Sequence, residues 1–312
     1  MDKKSNNNNV WAIILNWNNG FDTVDCIKSL KRSVLPITNI VVVDNGSSDR
    51  SVEYLKNYYC KDNSVLFLKN KTNVGFGPGI KKGIINSLEN GADYIFLVND
   101  DAIVDNYCLA EMVKNGDNDC NVGILGPRIF YSTKPSVVWQ GGGYFNYWTG
   151  GNVVPEKNRP PKAYNSQAVS VTFLTGCIML IKSKVFEKIG YFDDDIFFYE
   201  EDVDFCLRAL KAGFILNYVP SAIAWHKVEG IRITPFAFYN RARSRIIVLR
   251  KNFNIIYVWY GILVHIILFT PYKIYQSIKS EKPLETLVAW FKGSIDGVSA
   301  KLHYKETSLN KK

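Results

Sequence analysis

The sequence predicts an α/β fold built on a mostly parallel sheet covered by helices on both faces. Short apolar, β-branched runs recur through the first 126 residues, and segments with helical spacing separate them. Turn-forming Asn, Asp and Gly residues cluster where several of these runs end. With 312 residues, 47% hydrophobic and 21% charged, the chain can bury a sizeable core, which excludes wholesale disorder, collagen and a coiled coil.

The polar, Asn-rich stretch Met1 to Asn9 lacks the apolar core of a signal peptide and is expected to be a disordered leader. Val10 to Leu15 is the first strand. After Asn18-Asn19-Gly20, Val24, Ile27, Leu30 and Val34 fall near helical spacing. Ile40 to Val43 is the second strand, closed by Asp44-Asn45-Gly46. Ser47 or Ser48 is then placed to cap a helix carrying Val52 and Leu55. Val65 to Leu68 is the third strand, followed by a glycine-rich loop and a helix through Ile84, Ile85 and Leu88; Tyr94 to Val98 is the fourth. Gly141 to Pro161 predicts a long loop or irregular hairpin. A strand pair (Val169 to Leu174, Cys177 to Ile181) and helices at Ser183 to Ile189 and Asp202 to Ala212 come next. Strands at Ile215 to Val219 and Ala222 to Trp225 complete a body over residues 10–226.

Ligands of parallel sheets collect at the carboxyl ends of the strands. Asn16-Trp17-Asn18, Asp44-Asn45-Gly46 and Asn99-Asp100-Asp101 fall there. Adjacent carboxylates at a strand end are costly unless solvated, hydrogen-bonded or neutralised, and a hard divalent cation suits them; a solvated turn suits them equally. Asp44 is placed either to accept from a base or ribose, or to form an Asx-turn. Asn73-Val74-Gly75-Phe76-Gly77-Pro78-Gly79 matches neither a dinucleotide fingerprint nor a Walker sequence, so its glycines predict close backbone approach to a ligand or another helix. Seven carboxylates crowd Gly190 to Asp204 among aromatics. Glu201 and Asp202 stand at a helix start, where the dipole favours anions and lowers a carboxylate's pKa. Asp204 and Arg208, at i and i+4, predict a surface ion pair. His226 ends another apolar run.

These segments together resemble the family 2 inverting glycosyltransferases, especially rhamnosyltransferase-like members. The resemblance rests on stretches in the family's order across about residues 10–250. They are Ile13 to Asn18, Val41 to Asp49, Asn73 to Gly77, Leu97 to Asp101, Gly176-Cys177 with Ile189 to Asp193, Phe198 to Asp204, and Ala224-Trp225-His226. It implies a GT-A fold, a Rossmann-like, mostly parallel central sheet, acting on a nucleoside-diphosphate sugar. Asp44 would hold the base or ribose with Asn16, Asn73, Gly75 and Asp100 on the nucleotide-sugar side. Gly176 would line the acceptor side. Asp101 would meet Mg²⁺ or Mn²⁺, and His226 would complete the metal site. Asp202 matches the catalytic base, with Glu201 beside it. Asn99 replaces the usual first Asp of the metal motif, and Ser244 replaces the usual Asn after Arg243.

Residues 227–312 hold 15 Lys and Arg against 5 Asp and Glu, a net +10, whereas residues 1–226 come to −1. This second region is expected to be a basic, apolar helical tail. Ile255 to Thr270 is a run of 16 mostly apolar residues closed by Pro271. Roughly 20 residues are needed to cross a bilayer, so a helix lying in the membrane interface is the expectation, with a buried helix or a short, tilted span as the alternatives. Nothing in the motifs points to nucleic acid. The six cysteines lack a CxxC pair, which excludes a zinc ribbon and favours reduced thiols. The expected protein is therefore a cytoplasmic, peripherally membrane-bound sugar transferase acting on a glycan or lipid-linked acceptor, with self-association left open. A catalytically silent nucleotide-sugar or glycan binder and a nucleotidyltransferase are the alternatives. The latter lacks its glycine-rich basic signature after the first strand.

Overall fold

The computed structural model describes residues 8–161, 167–228 and 233–303. Of the expected leader, residues 1–7 lie outside the described residues. Asn8 and Asn9 are held in place: Asn8 donates to Asp117, and the Asn9 backbone N–H donates to Asp93 at 2.9 Å.

The first four expected strands and their helices form in sequence: β1 (Val10–Asn16), α1 (Gly20–Lys31), β2 (Asn39–Asp44), α2 (Ser51–Tyr58), β3 (Val65–Lys69), α3 (Phe76–Glu89) and β4 (Tyr94–Asn99). Alternation explains why these strands are apolar throughout. Val10, Ala12 and Ile14 pack into the core on one face, and Trp11 and Ile13 into the core on the other. The cap expected of Ser47 or Ser48 is not used; the Asp49 carboxylate instead accepts from Ser51 N–H at 3.0 Å. Next come β5 (Ala102–Val104), α4 (Cys108–Asn118), β6 (Val122–Tyr131) and β7 (Val138–Gln140). The Gly141 to Pro161 stretch contains a small antiparallel hairpin, β8 (Tyr144–Asn146) and β9 (Gly151–Val153).

The chain continues through β10 (Val169–Val171), β11 (Ile178–Lys182), α5 (Ser183–Ile189), α6 (Glu201–Lys211) and β12 (Ile215–His226). The expected pair β10 and β11 do not pair with each other. Among the described residues the main sheet runs β10-β12-β6-β11-β4-β1-β2-β3, with β5 on β12 and β7 on β6. β3, β2, β1 and β4 are parallel neighbours, and β11 enters antiparallel to β4. The carboxyl ends of β1, β2 and β4 thus share one edge. All six cysteines are free thiols.

The basic region begins with α7 (Pro235–Asn252), which packs on the body. Ile246 to Leu249 are buried, Arg243 donates to the Asp195 carbonyl at 2.9 Å, and Asn252 donates to Asp204 at 2.7 Å. Asp204 is 1% exposed, so its 2.7 Å contact with Arg208 is a partly buried pair rather than the expected surface one. α8 (Ile255–Val264), a π-turn at His265–Phe269 and α9 (Thr270–Ser277) form one helical stretch. Pro271 does not end it. Pro271 falls in the first turn of α9, directly after the π-turn, where the missing N–H and altered register are accommodated. The apolar stretch is therefore 23 residues, Ile255–Ser277, and its most apolar 18 residues have mean hydropathy 1.7 and are only 22% buried. α10 (Pro283–Ser299) lies against α7, with Gly293 at the contact; a Cβ there would sit 2.2 Å from the Tyr239 carbonyl oxygen.

Candidate active site

The register of β1 against β2 places Asn16 beside Asp44 at the sheet edge. Asp44 accepts from Ser47 N–H at 3.1 Å through one oxygen, while its other oxygen is buried without a partner. A buried carboxylate oxygen left unpaired is costly, so this atom is suited to accept from a ligand N–H or O–H. Asn16 is fully buried, accepts from Thr23 and donates toward Asp44 and Ser47. It positions Asp44. Asn73 is also engaged within the protein: its Oδ1 accepts from Asn45 and from Gly75 N–H, both at 3.0 Å. Gly75 has φ +92°, and a Cβ there would come 2.1 Å from the Phe197 carbonyl oxygen. Phe76 N–H donates to the same oxygen at 2.9 Å. The close approach expected of this loop is made to the segment that leads into α6.

Asp101 and His226 meet across the β5–β12 contact, with His226 Nε2 2.9 Å from Asp101 Oδ1. The imidazole lies against Trp139 at 4.2 Å between ring centroids, and its Nδ1 is buried without a partner. Asp100 is directed differently, towards Asn19 and the Trp17 backbone. Burial, reinforced by the Asp101 charge, pushes its carboxyl up to about 8. A cation seated nearby would reverse that shift. Among the described residues no group of three or more Asp, Glu, His or Cys side chains encloses a metal ion unaided. Asp101 and His226 nevertheless fit a hard ion that keeps open positions for phosphate oxygens, because such ions are held by few protein ligands.

Asp202 opens α6. Its carboxylate accepts from the Gly176 and Val203 N–H groups, each at 2.9 Å, so Gly176 acts on the side chain of Asp202. Glu201 is buried, with Oε2 unpaired. The lowered pKa expected at a helix start is not found. Burial raises both carboxyls, for Glu201 with the Asp202 charge added, and for Asp202 against the opposing backbone hydrogen bonds. Desolvation outweighs the helix dipole here. The preceding Tyr199 and Glu200 both have left-handed backbones, φ +63° and +65°, a strained pair of the kind concentrated at functional sites. Ser244 holds this segment by donating to the Phe198 carbonyl at 3.0 Å.

One cavity of about 370 Å³ joins these parts, lined by Asp101, His226, Gly176, Glu201 and Asp202. Asp44, Asn16, Asn73, Gly75 and Asp100 are outside its lining, nearer the β1–β2 end of the edge. Trp139, Lys157, Thr175 and Arg241 also line it. Their positions were not legible as a site, since Trp139 comes from the short strand β7, Lys157 from the loop after the β8–β9 hairpin and Arg241 from a helix that follows the body.

An edge of parallel strand ends carrying acids, facing a cavity with a buried carboxylate, belongs to the GT-A class of glycosyltransferases. GalNAc-T7 solved with UDP, GalNAc and Mn²⁺ superposes with TM-score 0.63 at 14% identity, over 79% of this chain and 48% of that one. The Staphylococcus aureus protein TarS, residues 1–349 with UDP-GlcNAc, gives 0.58 at 16% identity, over 94% and 81%. The sequence profile of Glycosyl transferase family 2 matches residues 11–190, and the chain belongs to that family. A dTDP-rhamnosyl transferase, RfbF of Shigella flexneri, is 27% identical over 261 residues, 79% of this chain and 81% of its own. The N-acetylglucosaminyl-diphospho-decaprenol L-rhamnosyltransferase of Mycobacterium tuberculosis is 25% identical over 213 residues, 60% of this chain and 66% of its own.

Proposed function

We propose that this glycosyltransferase moves a sugar, with rhamnose favoured, from a nucleoside-diphosphate donor to a glycan or lipid-linked acceptor, inverting the anomeric centre. The observation that carries this is the shared cavity of Asp101, His226 and Asp202. Asp44, through its unpaired oxygen, takes the base or ribose. Asp101 and His226 would hold Mg²⁺ or Mn²⁺, which would supply charge neutralisation for the departing diphosphate. Asp202, fixed by Gly176 and Val203, accepts the proton as the acceptor hydroxyl attacks C1 from the opposite face. Glu201, buried beside it, adds to the dry surroundings of Asp202. That burial raises the affinity of Asp202 for the proton.

The rhamnosyl and lipid-diphosphate specificities of the relatives support the donor and acceptor assigned here. The exposed apolar stretch Ile255–Ser277, beside the basic residues of the C-terminal region, supports peripheral attachment to the cytoplasmic face of an anionic membrane. A thermal-shift screen of UDP-, GDP- and dTDP-sugars with Mn²⁺ tests the donor. The reading predicts stabilisation by one nucleotide class, dependent on the metal, and no stabilisation by any of them would refute it. Sedimentation with phosphatidylglycerol vesicles tests attachment. Replacing the exposed Ile256, Ile267 and Ile278 by Ser should abolish it.

A further inference from the structure

We propose that the tip of the β8–β9 hairpin and the outward face of α10 lie on an anionic phospholipid surface together with the α8–α9 stretch, so that one wall of the cavity stands at the membrane. Attachment through Ile255–Ser277, assigned above, is the reading on which this rests; the hairpin and α10 are added to it. The hairpin tip is hydrogen-bonded in a way that water would make unnecessary. Tyr147, Trp148 and Thr149 each have the carbonyl oxygen taken by a side chain of the C-terminal helices: the Tyr257 hydroxyl, the Tyr260 hydroxyl at 2.8 Å and the Arg245 guanidinium. The N–H groups of Trp148 and Thr149 donate to the Asn146 side chain, and that of Gly150 donates to the Asn146 carbonyl. The side chain displayed by this turn is an indole, Trp148, 78% exposed. A turn in water leaves its carbonyls to solvent, whereas a turn resting on lipid needs them satisfied from within. Trp suits such an interface, with an apolar ring and one N–H for the headgroups.

The helices continue the same surface. α8 rests on α7 through Gly261, against Leu249, and exposes Ile256, Trp259 and Leu263 on its opposite side. α10 rests on α7 through Gly293 and Gly297 and exposes Leu284, Val288, Phe291, Ile295 and Val298, a stripe whose spacings alternate between four and three residues. The two helices meet where His265 stacks on Trp290, with ring centroids 4.3 Å apart. Both outward faces therefore point away from α7, and an apolar layer of this extent calls for a partner. Charge names the partner. Lys279 precedes α10, Lys301 follows it and Lys292 stands beside the stripe, all three exposed. Anionic headgroups complement these cations, whereas a second copy of the chain would bring like charges together.

The hairpin ties this surface to the site. Trp148 is four residues from Asn152, which lines the same cavity as Asp202, and four residues span at most about 14 Å. A lipid-linked sugar would then present its hydroxyl at the cavity while its lipid stays in the bilayer.

The test is tryptophan fluorescence of the full chain on vesicles of phosphatidylglycerol and acyl-brominated phosphatidylcholine, with sedimentation on the unbrominated vesicles. Trp148→Phe and Trp259→Phe should each remove a share of the quenching seen in wild type, and Trp17→Phe, at the nucleotide end of the cleft, should remove none. Val288→Ser/Ile295→Ser should weaken vesicle binding about tenfold or more, with the thermal midpoint unchanged because both side chains are exposed. The proposal is overturned if wild type binds but quenching is the same without Trp148, or if the α10 double variant binds as well as wild type; attachment through α8–α9 then stands alone. An equal loss of quenching in Trp17→Phe also overturns it, because the nucleotide end would then face the lipid. Wild type that stays in the supernatant refutes the attachment itself. A dimer dissolved by Val288→Ser/Ile295→Ser would give the α10 face to a second copy and overturn its assignment to lipid.

Discussion

The two ends of the cleft are built in different ways. At the β1–β2 end, Asn16 and Asp44 close their strands and Asn45 and Asn73 lie in the loops that follow, and side-chain hydrogen bonds link them in pairs. At the α6 end, Asp202 depends on partners from distant parts of the chain: Gly176 before β11, Phe197 against Gly75, and Ser244 from α7. The first end is a rigid platform set by local chain geometry. The second is a strained loop clamped from both sides, and it carries the carboxylate expected to move a proton. Local rigidity suits recognition of an unchanging nucleotide, whereas assembly from separate elements allows the acceptor end to diverge.

Substitutions should separate the ends. The largest effect is expected for Asp202→Asn, which should lower kcat by roughly 10²–10⁴-fold while leaving nucleotide-sugar affinity nearly unchanged. Equal losses in both would show that Asp202 holds the donor. His226→Ala should weaken metal-supported donor binding by about 10–100-fold, measured as the Mn²⁺ concentration for half-maximal thermal stabilisation. A smaller but structural effect is expected for Gly75→Ala. The new Cβ meets the Phe197 backbone at a positive φ, and destabilisation of about 1–3 kcal/mol should appear in chemical denaturation. Ser244→Ala should cost about 1 kcal/mol and reduce kcat more than donor affinity, because the lost hydrogen bond supports only the α6 end.

The pH profile sharpens the same contrast. Burial raises the carboxyl of Asp202 above its ordinary value, and a base works only when ionised. Transfer should therefore rise with pH through a midpoint above the usual Asp value of about 3.9, with donor binding flat over that range. A limb at an ordinary carboxylate pKa would contradict the dry surroundings assigned to Asp202.

The platform was legible because its information is local. An apolar run of alternating residues ending in Asn or Asp states both the strand and the exposed acid at its end, and β1, β2 and β4 obey this. Asp101, Asp202 and His226 were recognisable as motifs, and the structure brings them to one cavity. The roles of Asn16, Asn73 and Gly176 as supports for other groups were not visible, since hydrogen-bond direction depends on neighbours far away in sequence. The sign of the shift on Asp202 is hidden for a related reason. A helix start is visible in sequence, but the burial that overrides it comes from packing. Pro271 read as a stop because a π-turn has no sequence signature comparable to a cap. Asp204 read as a surface partner because its burial comes from α7.

The clamp around Phe197 and Phe198 has a practical consequence for shortening the protein. A chain trimmed at His226 would keep the acidic motifs and His226, yet it would lose Arg243, Ser244 and Asn252, which grip Asp195, Phe198 and Asp204. Such a fragment would retain the nucleotide platform but lack the brace that keeps the reactive carboxylate in place. Under the proposed function, a chain ending before Asn252 is therefore expected to bind nucleotide yet fail in transfer.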